Sequence, residues 1–147
     1  MTEMQERVPV TWHDAVPRGL PLGSHVLLSE QLTLPPDPRN VAVARAWIAE
    51  RLPGWSSDSI RDAAALLTSE LVTNAVVHAR TELRVGIAVA DEDVLIGVHD
   101  LDLGHREADG TDRHGGWGLS LVGQVASDWG QVQHPGGGKT VWFRMSR

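Results

Sequence analysis

The chain has 147 residues, a length suited to one domain with a single core, and it is 41% hydrophobic and 22% charged. Its formal net charge is −6, whereas a protein that lives on phosphate contacts along a nucleic acid carries a basic surface, so nucleic acid is not an expected partner. Cysteine is absent, which removes disulfides and thiolate metal sites, and no apolar run approaches the roughly 20 residues that span a bilayer, so a cytoplasmic protein without membrane contact is expected.

Residues 1–24 contain three prolines, two glycines and scattered charges with no sustained period. They are expected to form a flexible N-terminal arm, or one that orders against a partner, leaving residues 25–147 as the folded domain. The run from His25 to Leu34 reads as a strand ended by Pro35 and Pro36. Asp37-Pro38 then has the pattern of an N-cap followed by a first-turn proline. Val41, Ala44, Trp47, Ile48 and Leu52 recur at three- and four-residue steps, as one helix face requires. A second helix is expected from Ser56 or Ser57 to about His78, with Ile60, Ala64, Leu67, Leu71 and Ala75 as its apolar stripe.

Two β runs follow, Glu82–Ala90 and Val94–Asp100, the first alternating Leu83, Val85, Ile87 and Val89 on one face. Residues 101–116 form a long loop rich in Gly, Asp and His, a functional or disordered element in a compact domain. A short helix over Trp117–Ala126 and two closing strands, Asp128–Gln133 and Thr140–Met145, complete the order. Helices that precede and interrupt hairpin-linked strands predict an α+β fold, with the helices layered on one face of a mixed, mostly antiparallel sheet. A doubly wound dinucleotide-binding fold needs strict βαβ alternation and an early glycine-rich turn, and neither is present.

Glu70, Asn74 and His78 lie four apart on the second helix, each rotated by about 40° from the last, and form one polar ridge beside the apolar stripe. An amide oxygen is a hard ligand for magnesium, and a carboxylate one turn earlier can take a proton from a hydroxyl. By themselves the three also suit a solvated helix flank. Asp100 ends a strand, where its carboxylate could accept an exocyclic amine; Gly115-Gly116-Trp117-Gly118-Leu119 opens a helix, where exposed N–H groups make an anion site. Gly136-Gly137-Gly138-Lys139-Thr140 leads into a strand, so it is not a Walker loop.

Together these motifs resemble the Bergerat-fold GHKL ATPases. Glu70-x-x-x-Asn74-x-x-x-His78 is similar to that family's N-box, Asp100 and Gly104 to its G1 box, Gly116-x-Gly118-Leu119 to its G2 box, and Lys139-Thr140 to its closing Gly-Thr element. The match in order and spacing covers roughly residues 25–146. Length, the short lid and the run into Thr-Val-Trp-Phe most resemble the anti-sigma-factor serine/threonine kinases. The chain departs from the pattern at Asp102, which stands where the G1 box has its first glycine and adds bulk and charge near the base.

The resemblance implies a two-layer α/β sandwich that binds ATP and Mg²⁺. It implies that Asn74 coordinates the magnesium and that Glu70 is the general base toward a serine or threonine of an anti-anti-sigma (STAS) partner. Asp100 and Thr140 would read adenine, and backbone N–H groups at Gly116, Gly118 and Leu119 would hold phosphate oxygens. The loop over residues 102–115 would close as a lid, with Arg106, Arg113 and His114 as candidate contacts. A sigma factor is a second implied partner, and family members are commonly dimers, although the sequence does not set the oligomeric state. The alternative is an ATP-binding regulator that sequesters a partner without phosphorylating it. A detached histidine-kinase catalytic domain ranks last, because it needs a separate phospho-acceptor helix pair. Of the six tryptophans, Trp47 and Trp142 sit on expected core faces, whereas Trp12 and Trp55 are the ones expected to be free for a partner.

Overall fold

A computed structural model describes residues 12, 16, 19–101, 125–134 and 137–147. The described elements are β1 (Val26–Leu34), α1 (Asn40–Arg51), α2 (Asp58–Asn74), a π-helical turn (Ala75–Ala79), β2 (Leu83–Ala90), β3 (Asp93–Asp100), β4 (Asp128–Gln133) and β5 (Lys139–Ser146). The strands form one sheet in the order β1-β2-β3-β5-β4, with every neighbouring pair antiparallel. The expected α+β architecture is present, and the sheet is antiparallel throughout the described strands where a mixed one was allowed.

Both helices lie on one face of the sheet. Ala44, Ile48 and Leu52 from α1 and Ala64, Leu67, Leu71 and Val72 from α2 pack in one core with Leu83, Val85, Ile87 and Val89 of β2. Val94, Ile96 and Val98 of β3 and Phe143 and Met145 of β5 complete it. Both periods read from the sequence are therefore realised: three and four along the helices, two along the strands. Ser57 caps α2, its hydroxyl accepting the Ile60 N–H at 3.1 Å. Asp37 is not the N-cap that was expected, since Arg39 holds that position. Its carboxylate accepts the Arg39 N–H at 2.8 Å and pairs with the Arg39 guanidinium at 2.7 Å, while α1 begins at Asn40. Those hydrogen bonds hold the Asp37 carboxyl at about 2, below its ordinary value.

The opposite face of the sheet is covered too. Trp12, Leu20, Ala88, Leu95, Val132 and Trp142 form a second buried cluster. Trp12 is only 3% exposed, so it is a core residue and not a free one, and its indole N–H donates to Ser29 Oγ at 3.2 Å. The sheet makes room for it with glycine: a Cβ on Gly86 would stand 2.5 Å from the Trp12 ring, and one on Gly97 2.6 Å from it. The Arg144 guanidinium adds a polar tie by donating to the Gly19 carbonyl at 3.2 Å. Trp55 packs partly buried against the helix-side core, with the Arg147 guanidinium 5.7 Å from its ring centre. No helix among the described residues is long and apolar enough to cross a membrane.

Candidate nucleotide site

The polar ridge begins on α2 and ends on the π-turn. Glu70 and Asn74 are half-buried and His78 is exposed. The α-helical ladder loosens after Asn74, and the Arg80 N–H reaches back five residues to the Ala75 carbonyl at 3.3 Å. Arg80 then takes a left-handed conformation (φ 57°) and ends the segment. Among the described residues neither the Glu70 carboxylate nor the Asn74 amide has a hydrogen-bond partner, so both keep their capacity for a ligand.

A hydrogen bond links the segment after this ridge to the end of β3. The Leu101 N–H donates to Thr81 Oγ1 at 3.0 Å, which ties the residue after Asp100 to the residue after Arg80. Asp100 itself is 5% exposed and pairs across the ladder with Leu83 and Lys139. Since Val94, Ile96 and Val98 face the helices, the two-residue period sets the Asp100 side chain on that same face. Asp100 therefore lies on the helix-facing side of the sheet, the side that also carries α2 and the π-turn with Glu70, Asn74 and His78.

Thr140 is not part of that gathering. It is directly opposite His99, and its neighbour two positions on, Trp142, belongs to the outer cluster. Its methyl lies 3.4 Å from the Cβ position of Gly97, beside the Trp12 ring. The side chain thus points through the other face of the sheet and is fully buried. Its hydroxyl is engaged there, 3.2 Å from His99 Nδ1 and 2.8 Å from His134 Nε2. One hydroxyl proton serves one imidazole, so Thr140 donates to one ring and accepts from the other. The two rings meet edge-on, 5.0 Å apart. The adenine-reading role expected for Thr140 does not fit this placement, because β-strand alternation sends residue 140 away from Asp100.

The position that does stand opposite Asp100 is Lys139. Lys139, Val141, Phe143 and Met145 share one strand face by the period of two, and three of the four are core residues or packed on the core. His99 lies on the opposite face of the sheet, beside Thr140. Burial first, then His134 and Arg84, push its pKa down to about 4, so it is neutral near pH 7. Its Nε2 is buried without a hydrogen-bond partner.

The end of β4 is tied to the start of β5 by the His134 N–H, which donates to the Gly138 carbonyl at 3.0 Å. Gly138 has φ 92°, and a Cβ there would stand 2.6 Å from the Asp100 carbonyl oxygen. Glycine is required at this position on both counts. Gly104, Gly116, Gly118 and Leu119, and with them the expected lid and phosphate loop, lie outside the described residues.

No curated protein matches the chain. The family model of the histidine kinase-like ATPase domain matches residues 34–145, a stretch that runs from the end of β1 to the end of β5 and includes every ridge residue, Asp100 and Lys139. The chain belongs to the histidine kinase-like ATPase family.

Proposed function

We propose that the chain is an ATP- and Mg²⁺-dependent serine/threonine kinase of the anti-sigma-factor type, acting on an anti-anti-sigma (STAS) partner. Membership of the family implies ATP binding. The observation that carries the finer reading is the Thr81–Leu101 hydrogen bond, which brings the end of the Glu70–Asn74–His78 ridge to the strand end bearing Asp100.

The donors on the ridge fit a magnesium ion. Magnesium prefers oxygen ligands and is commonly held by one or two protein groups with substrate phosphates and water, so an amide oxygen and a neighbouring carboxylate suffice. Asn74 is the residue that would hold it, and a bound Mg²⁺ would neutralise charge on the phosphate oxygens. Glu70 supplies the proton chemistry. Its carboxylate takes the proton of the partner's serine or threonine hydroxyl as that oxygen bonds to the γ-phosphorus and the bond to the β–γ bridging oxygen breaks, releasing ADP. Asp100 accepts the exocyclic amine of adenine. Gly104 would support the turn beyond it, and backbone N–H groups at Gly116, Gly118 and Leu119 would hold phosphate oxygens at a helix start.

A second reading is favoured by Asp102, whose side chain replaces a glycine in the G1 pattern: an ATP-bound regulator that sequesters a sigma factor or another partner without transferring phosphate. Incubation with γ-labelled ATP, Mg²⁺ and a STAS protein separates the two. Label on a serine or threonine of the STAS protein supports the kinase. Complex formation that depends on ATP but leaves the partner unlabelled supports the regulator.

A further inference from the structure

Two strand-end residues on the helix side face each other, Asp100 at the end of β3 and Lys139 at the start of β5. Directly opposite residues of an antiparallel pair have Cβ atoms about 5 Å apart and share one face. Asp100 is nearly buried, whereas Lys139 is half-buried. No ion pair among the described residues engages the Lys139 ammonium. The neighbouring hydroxyl, Thr140, is locked between His99 and His134 on the other face. A ligand group seated against Asp100 from the helix side therefore meets an ammonium donor beside the carboxylate, and meets no threonine.

We infer that Lys139 is a base-reading residue of the nucleotide site, donating to N1 of the adenine whose exocyclic amine is held by Asp100. The inference rests on the nucleotide reading of the site given above. Its chemistry follows from the adenine edge, where an amine donor and a ring-nitrogen acceptor lie side by side. A carboxylate acceptor next to an ammonium donor matches that pair in the same order. Lysine suits the task because its compact head turns its three donors freely on a flexible stem. A hydrogen bond from a charged donor to a neutral acceptor in a half-buried site corresponds to about a tenfold change in affinity or more.

The test compares ATP with 1-deaza-ATP, which keeps the amine and the triphosphate but has C–H in place of N1. Calorimetric titration of the wild-type chain is expected to show binding of 1-deaza-ATP about tenfold weaker than of ATP. Lys139→Met is expected to bind both nucleotides equally, at the level of the wild type with 1-deaza-ATP, and Lys139→Arg to regain part of the discrimination. Circular dichroism and tryptophan emission check that the variants are folded, and the wild-type comparison needs no variant at all. Equal wild-type affinity for the two nucleotides overturns the inference. So does a Lys139→Met chain that loses affinity for both while still preferring ATP, since that is a phosphate contact or a structural effect. GTP binding as tightly as ATP overturns the adenine assignment, because guanine offers the carboxylate and the ammonium a different edge. A wild-type chain that binds no nucleotide removes the underlying reading of the site along with Lys139, whereas ATP binding without N1 discrimination removes Lys139 alone.

Discussion

Asp100 and Thr140 lie at the same end of the sheet and on opposite faces of it, one residue out of step with each other across β3 and β5. Asp100 looks toward α2 and the π-turn. Thr140 looks toward Trp12 and holds two histidines. That half-period separates a helix-facing carboxylate from a hydroxyl held by two imidazoles.

Thr140→Val should therefore act on stability and spare nucleotide choice. It keeps the shape and strand preference of the residue but leaves His99 Nδ1 and His134 Nε2 without their shared partner. The expected cost is about 1–3 kcal/mol by urea denaturation, with the ATP-over-GTP preference intact. Lost discrimination with unchanged stability would return Thr140 to the base.

His99 should give the fold an acid limit. Its ring takes up a proton near pH 6.5 in the unfolded chain and only near pH 4 in the folded one. The unfolded state therefore binds more protons between these values, and stability falls as pH drops across that window, by up to about 3 kcal/mol from this group. Urea denaturation at pH 7, 5.5 and 4.5 measures the slope, which His99→Asn should flatten. A wild-type profile that is level from pH 7 to 4.5 would contradict the burial argument.

Trp12→Ala should destabilise the protein by about 3–5 kcal/mol, as expected when a buried aromatic ring is removed from a tight site. Gly86→Ala should act in the same direction, because its methyl would occupy space held by the Trp12 ring. Thermal denaturation of the two variants reads this directly, and a wild-type melting temperature for Trp12→Ala would mean that the outer cluster contributes nothing.

Asn74→Ala should abolish Mg²⁺-dependent ATP binding, measured by calorimetry with and without the metal. The half-buried amide carries no other partner among the described residues, so little structural cost is expected. Affinity that is unchanged in the presence of Mg²⁺ would remove Asn74 as the ligand.

Glu70→Ala should leave ATP binding in place and slow phosphoryl transfer to a STAS partner by roughly 10²–10⁴-fold, the range of a general base. Transfer at the wild-type rate would mean that Glu70 is not the base.

Much of the fold could be read in the chain because its periodicities are strong. The stripe Ala64–Leu67–Leu71 on α2 and the alternation Leu83–Val85–Ile87–Val89 on β2 are local patterns, and burial enforces both. The ridge Glu70–Asn74–His78 was legible for the same reason, since spacing along one helix is a local property. The role of Thr140 was harder to read, because a motif match one residue out of register still looks like a match in sequence. In a strand, that single step moves a side chain to the other face. Lys139 could have been found by extending the period of Val141, Phe143 and Met145 one step back.

The N-terminal segment shows a different limit. Around Trp12 and Leu20 the sequence has prolines, charges and no period, which are the marks of a free arm. Those two side chains nevertheless sit in a pocket built by Gly86, Gly97, Ala88 and Leu95 from distant strands. By itself the sequence determined the described strands and helices, the helix-side core and the spacing of Glu70, Asn74 and His78 along the chain, because each depends on neighbours a few residues away. Only the tertiary structure decided which residue faces Asp100, what the Thr140 hydroxyl holds and what covers the outer face. Those depend on strand register and on contacts between residues far apart in the chain, and no local pattern encodes them.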